Sequence, residues 1–381
     1  MDSSDVIIIG AGMIGANCAL RLIQSGLSVT VIDRGAISGG TTSAGEGNIL
    51  VSDKDPGPEL SLALRSREAW FELADEVGGE FELEKKGGLI VAKSEQGISD
   101  LKVQSARQSQ SGVIVHQLDH AELHEIEPHL SNEIPYGVYY PQDSQLNPML
   151  GVAQILKKFR ELGGKVVTEA KVLSISTDAM SVTGVVTSKG EFSSRNIVNA
   201  TGTWAGEIAE MAGSHLPIAP RRGFILVTAP TPSVVRHKVY DADYVANVAS
   251  GSADLQTSAV IEGTRSGTIL IGSSRERVGY STTFDVRILR KLSEQALALF
   301  PALRKVQIMR AYFGFRPYAP DHLPVIGEDA RVKGLWHATG HEGAGIGLAP
   351  ATAEIIAAQI TGKDCLMDVS PFSPARFAHD L

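Results

Sequence analysis

Cysteine is almost absent: the 381 residues contain two, Cys18 and Cys365, far apart in the chain. That excludes a CxxC dithiol, a four-cysteine zinc or iron–sulfur site and a disulfide framework, and it fits a reducing compartment. Positive charge is in deficit. Lys and Arg number 35 against 43 Asp and Glu, a net charge of −8. No basic run is dense enough to neutralise several adjacent phosphates, so nucleic acid is not an expected partner. A membrane-length apolar run is missing as well. Val6 to Leu20 carries no charge, but Gly10, Gly12 and Gly15 interrupt it, and Arg21 ends it short of the roughly 20 residues a span needs. The opening residues Met1 to Asp5 lack the positive region of a secretory signal. A soluble, cytoplasmic protein without integral membrane association is expected.

What is present is ordinary globular usage, 43% hydrophobic and 20% charged, without low-complexity stretches, a fixed-period repeat or a flexible linker. The length suits one large domain or two interleaved ones. Asp5–Ile9, a glycine turn, Ile14–Ser25 and Ser28–Ile32 read as strand, helix and strand of a βαβ unit. A helix begins near Pro58, with Leu60, Ala63, Leu64, Trp70, Phe71, Ala74 and Val77 as its buried stripe. Gly88–Ala92, Val113–Gln117 and Tyr136–Tyr140 are strand candidates, and a second β-rich block runs from Leu216 to Phe315. Between the blocks, Pro148–Leu162 reads as a helix and Lys165–Thr168, Val172–Ser176 and Asn196–Ala200 as strands. A last strand, Leu335–Ala338, leads through the glycine-rich turn Gly340–Gly347 into a helix. The predicted fold is α/β (α+β overall): a Rossmann-type nucleotide-binding domain of residues 1–80, 143–215 and 316–381, interleaved with a smaller substrate domain of 81–142 and 216–315 built on a mixed or antiparallel β-sheet.

Gly10-Ala11-Gly12-Met13-Ile14-Gly15 follows a strand and opens a helix, and Asp33 ends the next strand. This is the dinucleotide fingerprint in its full context. Gly10 allows the tight turn, Gly12 lets backbone approach a pyrophosphate, Gly15 lets helix and strand pack closely, and the helix start, with Met13 and Ile14, offers N–H groups to phosphate. Asp33 can accept from ribose hydroxyls, which argues against NADP, and Arg34 follows it. The fingerprint alone does not separate FAD from NAD.

The segments Gly40-Thr41-Thr42-Ser43-Ala44-Gly45-Glu46-Gly47-Asn48, Asn199-Ala200-Thr201-Gly202-Thr203-Trp204, Arg316-Pro317 and Gly340-His341-Glu342-Gly343-Ala344-Gly345-Ile346-Gly347 resemble the flavoprotein family of D-amino-acid, glycine and sarcosine oxidases. Within it, His341 to Pro350 after Gly47-Asn48 is most similar to the flavin subunits of dye-linked proline, hydroxyproline and opine dehydrogenases and of hydrogen cyanide synthase. The resemblance implies FAD as cofactor, with Thr41 and the Thr42–Asn48 stretch, Thr42, Ser43, Gly47 and Asn48 foremost, beside the flavin and Ala200, Thr201, Gly202 and Trp204 near its phosphate and ribitol end. It further implies Val172 against adenine, and Gly340, His341, Gly343, Ala344, Gly345 and Ile346 at the flavin itself. A helix starting near Gly345 aims its positive end at whatever precedes it, which favours electron uptake by a flavin. A second NAD cradle is the competing reading, but the glycine order is reversed and no acidic-ended strand follows.

Arg316 stands where the family grips the substrate carboxylate, and a planar fork suits bidentate binding; an ordinary salt bridge is the alternative. His341 and Glu342 are candidates for holding or deprotonating a substrate ammonium, or for contacting only flavin or a partner subunit. Tyr244 and Tyr240 lie in the block expected to roof the substrate, where either phenol reaches a carboxylate or simply packs. Glycine oxidases carry a tyrosine aligning near Val260, which this chain lacks, so glycine is a less expected substrate. Phe313-Gly314-Phe315 offers no cysteine for covalent flavin attachment, so FAD is expected to be non-covalent. His120 and His124 share a helix face, but Glu122, Glu125 and Glu127 around them suggest a solvated helix and no metal. The expected function is oxidation of an amino acid or secondary amine, proline-like, hydroxyproline-like or an opine, to an imine. A glycine or sarcosine oxidase using oxygen, and a flavin electron-transfer subunit among other dehydrogenase subunits, are the alternatives; a homo-oligomer is equally open. A disulfide reductase would need paired redox cysteines, which Cys18 and Cys365 do not provide.

Overall fold

The computed structural model describes residues 2–242 and 252–378. Its centre is a six-stranded sheet in the order Val325–Glu328, Leu335–Thr339, Ile197–Asn199, Val6–Ile9, Val29–Ile32 and Lys165–Val167. All pairings are parallel except that of Val325–Glu328 with Leu335–Thr339. Strands from the beginning, middle and end of the chain thus lie side by side, as the α/β reading requires. The unbroken apolar run of Val6–Ile9 follows from burial on both faces.

The helix Met13–Gln24 packs against Gly345–Ile360, which also meets Pro58–Val77. Pro58 takes the first helical position and Gly78 closes that helix in the left-handed region. Its fully buried residues are Leu60, Leu62, Ala63, Ser66, Ala69, Trp70, Leu73 and Ala74. Leu64, Phe71 and Val77 are only half-buried, a rotation of the expected stripe. Glu342–Ile360, this helix with the short turn before it, is among the described residues the one helical segment long and apolar enough to cross a membrane. Its apolar surface is accounted for by the protein core, where Leu348, Ala349, Ala353 and Ile356 are buried.

The second layer is an eight-stranded mixed sheet, ordered Ile308–Tyr318, Ala219–Thr228, Ile269–Arg275, Gln256–Gly263, Lys238–Asp241, Gly88–Ala92, Tyr136–Tyr140 and His116–Asp119. Its pairings are antiparallel apart from Lys238–Asp241 with Gly88–Ala92. A helix missed by the sequence reading, Val286–Leu299, covers one face. Asp285 caps it, and Ile288, Leu292, Ala296 and Leu299 form its buried stripe, a spacing visible in the sequence. A smaller sheet carries Val172–Asp178, Ser181–Thr187 and Gly190–Ser193.

Two local expectations need correction. The strand expected at Val113–Gln117 lies at His116–Asp119, because Val113 N–H turns back to Gln108 O and Ile114 N–H is taken by the Gln142 side chain. Glu127, grouped with solvated carboxylates, is fully buried and accepts from the backbone N–H groups of Arg236 and His237. The His120 and His124 rings stack on an exposed helix, and no three-residue metal cluster occurs among the described residues.

Candidate active site

A cleft runs between the two large sheets. One end is built by the fingerprint turn. Gly10 sits at φ +115°, and a Cβ there would come within 2.4 Å of Ala200 O. A Cβ on Gly15 would lie 1.9 Å from Gly10 O, so helix and strand touch backbone to backbone. Asp33 fixes the turn: one carboxylate oxygen accepts from Ala11 N at 2.7 Å and the other from Gly35 N at 2.8 Å. Beyond Asp33, the Arg34 guanidinium lies 3.9 Å over the Trp204 ring, and Val172 completes this end.

The middle of the cleft is walled by two turns. Thr42 Oγ1 accepts from Met13 N–H at 3.0 Å, and Thr41 Oγ1 donates to Phe315 O at 2.7 Å, tying the Thr41–Ala44 turn to the start of the helix Met13–Gln24 and to the strand Ile308–Tyr318. Opposite, a buried chain supports the Ala200–Gly202 turn. Thr201 Oγ1 donates to Asn199 Oδ1 at 2.7 Å, and Asn199 Nδ2 faces His337 Nδ1 at 3.3 Å. His337 Nε2 faces Asp329 at 2.9 Å. Burial alone would raise the Asp329 carboxyl, but bonds from His337, Ser214 and the Arg331 N–H outweigh it and hold the group at about 2.

At the far end Arg316, Gly343, His341, Glu342 and Ile346 line the cleft. The Arg316 guanidinium crosses Gly223, where a Cβ would meet Nη1 at 2.1 Å, and donates to Ser274 O at 2.8 Å. Glycine is therefore required beneath it. Burial pushes the His341 imidazole down to about 3, and its Nε2 pairs with Thr352 Oγ1 at 2.9 Å. His341 is neutral at physiological pH and is not the titrating imidazole considered from sequence. Glu342 pairs with the fully buried Arg221 at 3.1 Å, so its carboxylate already has a cationic partner.

Of the residues singled out from sequence, Gly10, Gly12, Met13, Ile14, Asp33, Arg34, Thr41, Thr42, Asn48, Val172, Ala200, Thr201, Gly202, Trp204, His341, Glu342, Gly343, Gly345, Ile346 and Arg316 meet at this one cleft. Others do not. Ser43 Oγ turns back to Gly40 O, and Gly47 is pressed on Leu146, whose carbonyl a Cβ would meet at 1.7 Å. Gly340, at φ +75°, packs on Val325 and Ile218, while Ala344 faces a separate cavity behind the turn. Tyr240 is fully buried and bonds to Ser52 and Asp143, away from the cleft. Tyr244 lies outside the described residues. Glu46 lies in the Thr42–Asn48 stretch placed beside the flavin, but Ser273 and Gly223, which also line the cleft, have no local sequence signal and are revealed by the pairing of distant strands.

The profile of the DAO family, described as FAD dependent oxidoreductase, matches residues 5–359. The chain belongs to this family. It is an FAD-dependent oxidoreductase of mixed α/β fold. The hydrogen cyanide synthase subunit HcnC of Pseudomonas aeruginosa is 27% identical, over 98% of this chain and 96% of its own length. The glycine oxidase of Geobacillus kaustophilus is 28% identical over 98% and 97%, and its crystal structure superposes with a TM-score of 0.90. The L-proline dehydrogenase of P. horikoshii, 26% identical, superposes with a TM-score of 0.90 over 100% of this chain and 99% of that one.

The residues present fit FAD. Gly10 and Gly12 of the glycine turn line the cleft with no side chain in the way, Asp33 retains lone pairs for hydroxyls, and the buried Asn48 Oδ1 and Ser273 Oγ have no hydrogen-bond partner among the described residues. Such orphaned atoms in a lined cleft suit a polar ligand.

Proposed function

We propose that the chain oxidises an amino acid or N-substituted amino acid to an imine that water then hydrolyses, with proline, hydroxyproline and opines heading the substrates. The observation that carries this reading is Arg316, a guanidinium laid over Gly223 in the wall of the FAD cleft, next to Gly343. A planar donor fork at that place suits a carboxylate. The likeness to HcnC and to L-proline dehydrogenase supports the ranking, and the glycine oxidase relatives support glycine as the alternative.

In this reading Gly10, Gly12, Met13 and Ile14 hold the pyrophosphate, Asp33 the adenosine ribose, Val172 the adenine side, and Thr41, Thr42, Asn48, Gly343, Gly345 and Ile346 the flavin. Residues 1–80, 143–215 and 316–381 serve the cofactor and 81–142 and 216–315 the substrate, with the strand Ile308–Tyr318 shared at their border. FAD, when bound, supplies a two-electron acceptor for the hydride leaving the α-carbon. The protein's own contribution is orientation: Arg316 fixes the carboxylate and thereby the α-carbon. His341, neutral and tied to Thr352, shapes the wall and carries no charge. Phe313-Gly314-Phe315 offers no thiol, which supports dissociable FAD. The thiols of Cys18 and Cys365 are unbridged, in keeping with a cytoplasmic enzyme.

An anaerobic spectral screen of the purified chain against D-, L- and N-alkyl amino acids tests the reading. Bleaching of the bound flavin by at least one of them is expected, and a flavin that none reduces sinks it. The subunit status of HcnC supports a second reading, in which a partner chain oxidises the substrate. That reading predicts bleaching only after the partner is added.

A further inference from the structure

Glu46 is the cleft residue whose chemistry is least accounted for. Its side chain is 6% exposed. Oε1 lies over Gly272, where a Cβ would approach to 2.7 Å, and it has no hydrogen-bond partner among the described residues. Oε2 accepts from Asn48 Nδ2 at 3.1 Å and stands 3.8 Å from Lys238 Nζ. Lys238 in turn bonds Glu262 on the adjoining strand. The titratable groups facing Glu46 are thus Lys238 and Glu262 on one side and Arg316 and Tyr312, from Ile308–Tyr318, on the other. Burial raises the Glu46 carboxyl, Lys238 opposes the rise and Glu262 adds to it.

An unpaired buried carboxylate oxygen is costly unless a donor arrives. In a complex where Arg316 takes the substrate carboxylate and Lys238 stays with Glu262, Glu46 is the anion left to meet a cation. Gly223 under Arg316 and Gly272 under Glu46 bring the two side chains onto the same sheet face.

Resting on the carboxylate-anchoring role of Arg316, we propose that Glu46 receives the substrate's amino group. Its Oε1 accepts a hydrogen bond from the ammonium and then its proton, so that the site selects α-amino acids over plain carboxylic or hydroxy acids. In that transfer the N–H bond breaks, an O–H bond forms on Glu46 and the electron pair stays on nitrogen, giving the neutral amine that oxidation requires. Glu46 is then a catalytic residue in direct contact with substrate. A carboxyl raised by burial is the better acceptor for an ammonium proton.

Two ligand pairs that lack an α-hydrogen separate binding from turnover: 2-aminoisobutyrate with pivalate, and 2-methylproline with 1-methylcyclopentane-1-carboxylate. Dissociation constants are read from flavin difference spectra of the FAD-loaded protein. Wild type is expected to prefer the amino member of a pair. Glu46→Gln should weaken that member by about 10-fold or more, the effect of a lost charge-assisted bond. It should leave the desamino member within about 2-fold and move the acid limb of amino-acid reduction to higher pH. Glu46→Asp, which keeps the carboxylate, should restore part of the preference, and it serves in place of Glu46→Gln if that variant fails to retain FAD. Equal weakening of both members, or an unchanged preference, overturns the role of Glu46 while leaving Arg316 in place. Pivalate bound equally by wild type and Arg316→Ala, or none of the four ligands bound by wild type, removes the anchoring role and the proposal with it.

Discussion

Asp33 does two things in the cleft, and replacing it by alanine separates them. Its carboxylate closes the fingerprint turn through Ala11 N–H and Gly35 N–H. It also lines the cleft, where in the proposed function its remaining lone pairs accept from the ribose hydroxyls of FAD. A hydrogen bond to a charged group contributes about 1.5–3 kcal/mol, and because Asp33 is half-buried, water recovers part of it in the variant. One such bond at the low end corresponds to roughly 10-fold in the FAD dissociation constant, and two to roughly 100-fold. The assay is a fluorescence titration of apoprotein with FAD and, in parallel, with FMN, which has no adenosine ribose. Asp33→Ala should raise the FAD constant by about 10- to 100-fold and leave the FMN constant within about 2-fold. Equal losses for both ligands would mean that the effect runs through the turn alone, and an unchanged FAD constant would refute the ribose contact outright.

Two further outcomes follow from the backbone and the buried chain beneath it. Gly10→Ala places a Cβ 2.4 Å from Ala200 O at φ +115°, so it should cost about 2–4 kcal/mol in chemical denaturation and abolish FAD retention on purification. Asp329→Ala leaves His337, Ser214 and the Arg331 N–H without their acceptor, and should lower stability by about 2–4 kcal/mol at neutral pH. Because the folded Asp329 carboxyl is held below its unfolded value of 3.8, its contribution is complete above about pH 4 and is lost as the pH falls toward about 2. The gap between wild type and variant in urea midpoint should therefore narrow across that window.

The local signals in the sequence located the main elements around the six-stranded sheet. The strand, turn and helix around Gly10–Gly15, the proline-started helix at Pro58 and the closing helix at Gly345 depend on neighbours within a few residues, so periodicity and turn chemistry reveal them. The substrate end is a different case. Arg316 rests on Gly223 and Ser274, and Glu46 on Gly272, contacts made by segments far apart in sequence. No local pattern encodes that register. Glu127 illustrates the same limit, since its partners at Arg236 and His237 turn an apparently solvated carboxylate into a fully buried acceptor. Tyr240 was placed in the right block, yet its phenol turns into the core toward Asp143.

The most direct test of the account is stopped-flow reduction, without oxygen, of Arg316→Ala beside wild type over a range of concentrations of the best amino-acid substrate. The account predicts that the variant keeps its flavin spectrum but needs at least about 100-fold more amino acid for half-maximal reduction, the loss of a bidentate charged contact of roughly 3 kcal/mol. Superimposable wild-type and variant curves would contradict it.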